Sequence, residues 1–517
     1  MEEAVEICKL RLFLKLVAQV ERVDEIEPLP DIDFNIRAGN TLVGFATLED
    51  VRKAISSEAS GQAKIQFDDT LQRIEEKAQD IDQLFQLFRQ QQTELGGEVT
   101  PDNKQELRKR LSVLEDELNS YLAREYGVDP KKKDAYRKWL MSHKPFHWFI
   151  EFYGIIKNGG FEGLIGNPPY VEYKDVRTTY TVRGFETLPT GDLYAFTLER
   201  AYQLTSAHGH IGMIVPISMF GTDGFEPLQA LSRRSLNPLW VSYFSNRPAQ
   251  LFDGSQKRLT ILLGKRFHSE NPRIYTTSYF RWLREERDAL LPARVAYVTR
   301  EACFQVFPAS LEKLGSNLEV STFSRILAVP RQLAGAVVAS SKHRLYYTRK
   351  FGYFLAFLKF VQRIIEVKSR RKVPPSELKE LRLASANSVP ATIAALTSST
   401  FFWFWNVLSD CRNLNRRDLL AFRIDPEEIS AKLSSDLTAL ANDYLSKLEQ
   451  TSRTMLKSGL EIQTFDYGAC KPTIDRIDRV LAQHYGFTDE ELDFIINYDI
   501  KYRMGREQEG AEEALND

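Results

Sequence analysis

Four short apolar runs, FEGLIG (161–166), HIGMIVP (210–216), WVSYFSN (240–246) and RLTILLGKRF (258–267), alternate with the helix-like stretches TGDLYAFTLERAYQLT and 223–235. Runs of this length bounded by turn residues read as strands, and FEGLIG carries so little polarity that it reads as a buried one. Strands that alternate with helices argue a mainly parallel sheet covered by helices on both faces, an α/β fold. In such a sheet ligands bind beyond the carboxyl ends of the strands. The loops that follow the runs are therefore the places to look for chemistry.

A chain of 517 residues has room for two or three domains, each with its own core. Its composition, 43% hydrophobic and 27% charged, is that of an ordinary globular protein. It contains no apolar run of about 18 residues and no basic leader followed by an apolar stretch, so neither a membrane span nor a secretion signal is expected. Cys8, Cys303, Cys411 and Cys470 lie far apart with no CxxC pair, which argues against a zinc ribbon or a disulfide framework and fits a reducing cytoplasm.

Ahead of the strands, MEEAVEICKLRLFLKLV places Ala4, Val5, Ile7, Cys8, Leu10, Phe13, Leu14 and Val17 in a pattern that reads as a largely buried helix. A strand-like run, DFNIRAGNTLVGF, follows and holds Gly39, Asn40 and Thr41. Between about 50 and 145 the character changes. Leu71, Ile74, Ala78, Ile81, Phe85 and Phe88 recur at helical spacing, as do Leu107, Leu111, Leu114, Leu118 and Leu122. Two amphipathic helices joined through GGEVTPD predict an antiparallel hairpin, a structural insertion rather than a partner-binding arm.

The near-neutral net charge of −1 conceals a local excess. From Ser321 to Lys372 the chain carries twelve Lys or Arg residues against the single acid Glu366, interleaved with Tyr346, Tyr347, Phe351, Tyr353 and Phe354. A solvated face and a polyanion-binding surface both accommodate such a run. Aromatic company and the scarcity of acids favour the second, with a phosphate backbone as the partner.

FEGLIG runs directly into GNPPY, residues 166–170. Asn167 offers a side-chain carbonyl, Pro168 a backbone carbonyl, and the two prolines fix φ near −65° while removing both N–H donors. Tyr170 adds a flat ring. Acceptors beside a stacking surface suit an exocyclic amine on a planar base, where they would orient the nitrogen lone pair rather than abstract a proton. The plain alternative is an ordinary proline-rich turn. Among other residues, Asp192 reads either as a general base or as a helix-start acid, and Lys257 and Arg258 either touch phosphate or solvate a strand start. His147 has no second ligand at metal spacing and is expected to be packed beside Trp148. No cluster of acids and a lysine of the kind that metal-dependent nucleases need is legible.

The blocks AVEICKLRLFLKLV, NIRAGNTLVG, PFHWFIEF, FEGLIGNPPYVEY, GDLYAFTLERA, LFDGSQKRLTILLGK, SDCRNLNRRDL and IDRVLAQHYGFTDEELDFIINYDIKYRMG resemble, in that order, the large N6-adenine DNA methyltransferases of type IIG restriction–modification and related phage-exclusion (BREX-like) systems. The resemblance runs from residue 1 to about 505. It implies a Rossmann-like S-adenosylmethionine-dependent methyltransferase fold with a helical-hairpin insertion and a C-terminal mixed α/β target-recognition domain. It implies Asn167, Pro168, Pro169 and Tyr170 as the catalytic loop, with Asn167 and Pro168 accepting from adenine N6. Tyr170 and Phe252 would stack on a base flipped out of double-stranded DNA. Asn40, with Asn167, would face the cofactor, and Lys342, Arg344, Arg349, Lys350, Arg370, Arg371 and Lys372 would meet DNA.

One part of the family's pattern is missing from this sequence. The first strand with its glycine-rich turn and the second strand ending in an acid are not found, and Gly159, Gly160, Gly163 and Gly166 lead into NPPY instead of opening a helix. The fold is thus expected to be partial, lacking its first two strands, with the cofactor site completed by an upstream polypeptide. The chain alone is expected to be poorly stable and to bind S-adenosylmethionine weakly. Expected boundaries are a partial methyltransferase domain at 1–50, the insertion at 51–145, the NPPY-bearing catalytic part at 146–270, target recognition at 271–425, a helical region at 426–505 and a disordered tail at 506–517. A non-catalytic DNA-binding remnant or subunit is the alternative.

Overall fold

The structure, a computed structural model, describes residues 2–20, 22, 35–56, 64–93, 101–252, 254, 256–300, 304, 306–308, 310–350 and 352–505. The tail at 506–517, Cys303 and the GGEVTPD joint apart from its last residues lie outside the described residues, as does the first part of the strand-like run before Asn35. Two compact units divide the chain. The first comprises Met1–Met213, Leu231–Asn237 and Leu263–Glu270, the second Ile214–Ala230, Pro238–Leu262 and Asn271–Asp517.

In the first unit, helix α1 (Glu2–Val17) forms as expected, but its burial does not: Ile7, Leu10, Leu12, Phe13, Leu14 and Leu16 are all exposed. Periodicity reports which side chains share a face and cannot report whether a surface exists to cover them. The stretch from Asn35 to Phe45 is not a strand either; it contributes one isolated parallel bridge, Asn40 with Pro145. Helices α2 (Leu48–Ser56), α3 (Lys64–Thr93), α4 (Pro101–Glu125) and α5 (Lys133–His143) follow. Two long helices form where the spacing predicts them. Leu71, Ile74, Ala78 and Ile81 of α3 share one core with Leu107, Leu111, Leu114, Leu118 and Leu122 of α4, closed by Trp139, Phe149 and Tyr153.

Strands β1 (Phe161–Gly166), β2 (Thr205–Pro216), β3 (Leu236–Phe244), β4 (Leu259–Arg266), β5 (Ile274–Phe280) and β6 (Val298–Arg300) form one sheet in the order β1-β2-β4-β3-β5-β6. β1 runs parallel to β2 with Gly166 opposite Met213, β3 parallel to β5, and β6 antiparallel to β5, which makes the sheet mixed. The expectation of a buried β1 is corrected. It is the edge strand, none of its residues is buried, and Ile165 is 88% exposed. Its apolar composition suits an interior position, but among the described residues only β2 pairs with it.

The second unit adds two three-stranded sheets. Strands β7 (Arg344–Thr348), β8 (Phe357–Leu358) and β10 (Leu378–Arg382) form one, in the order β10-β7-β8. Strands β9 (Ile364–Glu366), β11 (Arg453–Lys457) and β12 (Leu460–Thr464) form the other, in the order β11-β12-β9. The aromatic stretch at 399–408 is a helix in which every residue is buried. Its rings meet the C-terminal helices, Trp403 against Phe494 at 5.4 Å and Phe402 against Tyr498 at 6.1 Å. Asp478 caps its N-terminus, accepting from the Ser399 N–H at 3.1 Å and the Thr400 N–H at 2.9 Å. No described helix is long and apolar enough to cross a membrane.

Candidate functional site

NPPY follows β1 directly, at the carboxyl end of that strand. Pro168 is buried while Asn167 and Pro169 are exposed, so the loop is anchored at its centre and open at its polar side chain. The Tyr170 hydroxyl donates to Asn167 Oδ1 at 2.6 Å. Burial pushes the Tyr170 phenol up to about 12, so it remains a hydrogen-bond donor through the whole physiological range. One lone pair of the Asn167 carbonyl is therefore held in place by the tyrosine, and the other is left to a ligand.

Two backbone hydrogen bonds fix the loop's exit. The Leu193 N–H donates to the Val171 carbonyl at 3.0 Å and the Tyr173 N–H to the Gly191 carbonyl at 2.7 Å, an antiparallel bridge centred on Glu172 and Asp192. This tie sets Tyr194 edge-on to Tyr170, ring centroids 6.4 Å apart. Tyr194 was not singled out from sequence, although it sits inside the GDLYAF block. Asp192 occupies the N-cap position of the helix Leu193–Leu204, without a side-chain hydrogen bond that caps it.

Asn40 is positioned by a chain segment laid along residues 144–149. Its N–H donates to the Lys144 carbonyl at 2.9 Å, the Phe146 N–H to Val43 at 2.7 Å, and the Phe149 N–H to Phe45 at 3.2 Å. Contact is so close that a Cβ on Gly44, which has φ +140°, would lie 2.1 Å from the Phe146 carbonyl oxygen. The Asn40 Oδ1 accepts from the Leu42 N–H at 3.2 Å, which holds the amide in a turn. His147 is a packed residue, as expected. Its Nδ1 accepts from the Phe45 N–H at 3.1 Å, Nε2 faces Asn119 Oδ1 at 3.1 Å, and burial lowers its pKa to about 3.

In the second unit Phe252 is partly exposed, in a loop without regular structure. The basic segment read as one surface is split between two sheets, and several of its cations already have acids. Arg344 pairs with Glu380 at 3.1 Å, Arg349 with Glu377 at 3.6 Å and Asn415 at 3.1 Å, and Arg370 with Glu461 at 2.7 Å. Lys342, Lys350, Arg371 and Lys372 are exposed. Among the described residues no group of three or more His, Cys, Asp or Glu is placed to hold a metal ion.

Asn40 and Asn167, the two residues that the resemblance assigns to the cofactor, both lie in loops, and each already accepts one hydrogen bond at its side-chain carbonyl, from the Leu42 N–H and the Tyr170 hydroxyl respectively.

Residues 1–246 match the Eco57I restriction-modification methylase family model. A Methanocaldococcus jannaschii protein whose assigned name is that of a type II restriction enzyme and methyltransferase is 28% identical over 257 residues, 42% of this chain and 21% of its own length. This chain thus spans about a fifth of that curated relative. Among solved structures it is similar to the type IIL restriction-modification enzyme MmeI in complex with DNA, at 12% identity and TM-score 0.33 over 66% of this chain and 57% of the other. It is also similar to the EcoKI M protein of a type I restriction enzyme, at 11% identity and TM-score 0.21 over 66% of each chain.

Proposed function

We propose that this chain supplies the base-binding loop and the DNA-recognition surface of a site-specific adenine-N6 DNA methyltransferase, acting in the cytoplasm in a restriction-modification or phage-defence system. The observation that carries the reading is the Asn167–Tyr170 hydrogen bond at the head of a strand in a methylase-family chain. It leaves a fixed acceptor beside an aromatic ring. Asn167 Oδ1 and the Pro168 carbonyl would take the two N–H bonds of the amine, directing its lone pair outward, while Tyr170 and Phe252 stack on the flipped base. The same geometry serves an exocyclic amine on cytosine, and adenine is drawn from the block resemblance.

S-adenosylmethionine supplies the methyl group in this reading, with Asn40 and Asn167 on its side of the loop. The remainder of its site is assigned to a further polypeptide segment, upstream in the same protein or on a separate subunit. The exposed edge of β1, with Ile165 uncovered, and the exposed apolar residues of α1 support such a partner.

The test is transfer of labelled methyl groups to duplex DNA by this chain, alone and mixed with the product encoded immediately upstream, with nucleosides identified by mass spectrometry. N6-methyladenine is expected in the mixture, and Asn167→Ala is expected to lower the rate by about 100-fold or more. N4-methylcytosine as the product would overturn the adenine assignment. No transfer in any combination, with duplex binding retained, would favour the second reading, a DNA-binding remnant.

A further inference from the structure

The sheet β11-β12-β9 concentrates unmatched positive charge at one place. Residues 359–372 and 453–464 together hold eight Lys or Arg against two acids, Glu366 and Glu461. Both acids are engaged within the patch, Glu366 by the Ser369 hydroxyl and Glu461 by Arg370. Lys359, Arg363, Lys368, Arg371, Lys372 and Arg453 have no acidic partner among the described residues, and all except Lys359 lie on this small sheet or its turns. In the other small sheet Arg344 and Arg349 pair with Glu380 and Glu377, with Glu380 shared by Arg382.

Backbone hydrogen bonds tie the tip of the sheet together. β11 and β12 are joined by Ser458 and Gly459, with φ 50° and 76°, the two-residue turn whose twist matches a hairpin. Beside it the chain turns back at 366–371, with Arg370 at φ 56°, closed by the Arg370 N–H to the Glu366 carbonyl at 2.8 Å and the Glu366 N–H to the Arg371 carbonyl at 2.9 Å. The two turns are linked through the Val367 N–H and the Gly459 carbonyl at 2.9 Å. Register places Leu456 opposite Glu461, and Glu461 opposite Ile365, which bridges Lys372, so one face carries Leu456 among charged neighbours. Leu456 is 69% exposed.

We propose that this ribbon tip is the element that docks in a groove of duplex DNA, with Lys368, Arg371 and Lys372 on phosphates and Leu456 against base or sugar edges. The inference rests on the DNA reading above and narrows it: the contact belongs to β9, β11 and β12 rather than to the β7 arginines. The β11–β12 hairpin is a two-stranded ribbon of the width that the major groove admits, and the cations on the adjoining 366–372 turn provide the counterion-releasing contacts. A preformed tip loses little conformational freedom on binding, which keeps the cost of docking low.

Anisotropy of a labelled random-sequence duplex, titrated with the full chain across a range of salt concentrations, tests the proposal. The variants are K368Q/R371Q/K372Q, L456S and, as a control of equal charge change, K131Q/K132Q/K133Q in the exposed segment that leads into α5. The triple tip variant is expected to bind about tenfold or more weakly near physiological salt, with the log–log salt slope flatter by about 2 to 3. L456S is expected to weaken binding without changing the slope, and the control to match wild type. Circular dichroism and melting curves equal to wild type would show that the variants fold.

If wild type binds and the tip variants bind equally well, the tip is not the docking element, while the DNA reading stands. If wild type binds no duplex, both fail together. If the tip variants lose binding to phosphatidylserine vesicles but keep duplex binding, the patch is a membrane surface and the proposal is overturned.

Discussion

Glu115 shows how far one residue can depart from what its type suggests. It lies half-buried in α4 against Glu151, with Arg37 near and Asp116 beside it, and desolvation followed by the hydrogen bond to Glu151 pushes its pKa up to about 8. The folded state therefore keeps a proton that the unfolded chain releases near the ordinary carboxylate value of 4.5. That contribution to stability is complete below the unfolded value and is lost as pH rises through about 8. Glu115→Gln, which never ionises, is expected to melt like wild type at about pH 5 and roughly 2–4 °C higher at about pH 8.5, read by thermal scans at the two values. His147 has the opposite sign, since its pKa of about 3 makes acidification below the usual histidine range destabilising. Its packed role was legible from the lack of a second ligand at metal spacing. The Glu115–Glu151 contact was not, because the partners are brought together across the hairpin core and no local pattern marks them.

Among the elements, the aromatic helix at 399–408 depends most on a remote residue. Asp478, 78 positions away from Thr400, accepts from two of its first backbone N–H groups and from the Thr400 hydroxyl at 2.8 Å. Arg503 is buried nearby and donates to the Ser399 hydroxyl at 3.0 Å. Replacing Asp478 by Ala would strand those donors in an apolar surround and leave Arg503 with less compensating charge, at a cost of roughly 2–3 kcal/mol. Denaturant unfolding followed by tryptophan fluorescence reads this directly, because Trp403 and Trp405 lie in the helix itself. The α3–α4 hairpin, by contrast, could be read from spacing alone, since its core is made by side chains whose recurrence in sequence follows the helical repeat. The basic segment shows where such reading stops. Its charge was visible in a 52-residue window, but Glu377, Glu380 and Glu461, which match three of its arginines, enter from outside that window.

For the whole molecule, the edge of the main sheet decides behaviour in solution. β1 offers unpaired backbone groups beside an 88% exposed Ile165, the arrangement that invites a second chain to add a strand. The isolated chain is expected to self-associate in a concentration-dependent way, and Ile165→Lys to shift light-scattering mass toward the monomer without lowering the melting temperature. Unchanged association in that variant would move the cause to α1. The sequence by itself determined the α/β class, the two long amphipathic helices, the position of the NPPY loop after a strand and the family its blocks resemble, because each of these is written in local spacing and in contiguous motifs. Only the tertiary structure decided that α1 and β1 are uncovered, that Tyr170 holds Asn167, that Tyr194 stands beside them, and that the basic run splits between a partly paired sheet and a tip with few acidic partners. Those outcomes depend on which distant groups arrive within a few ångströms of one another, and pairing across space leaves no period in the chain.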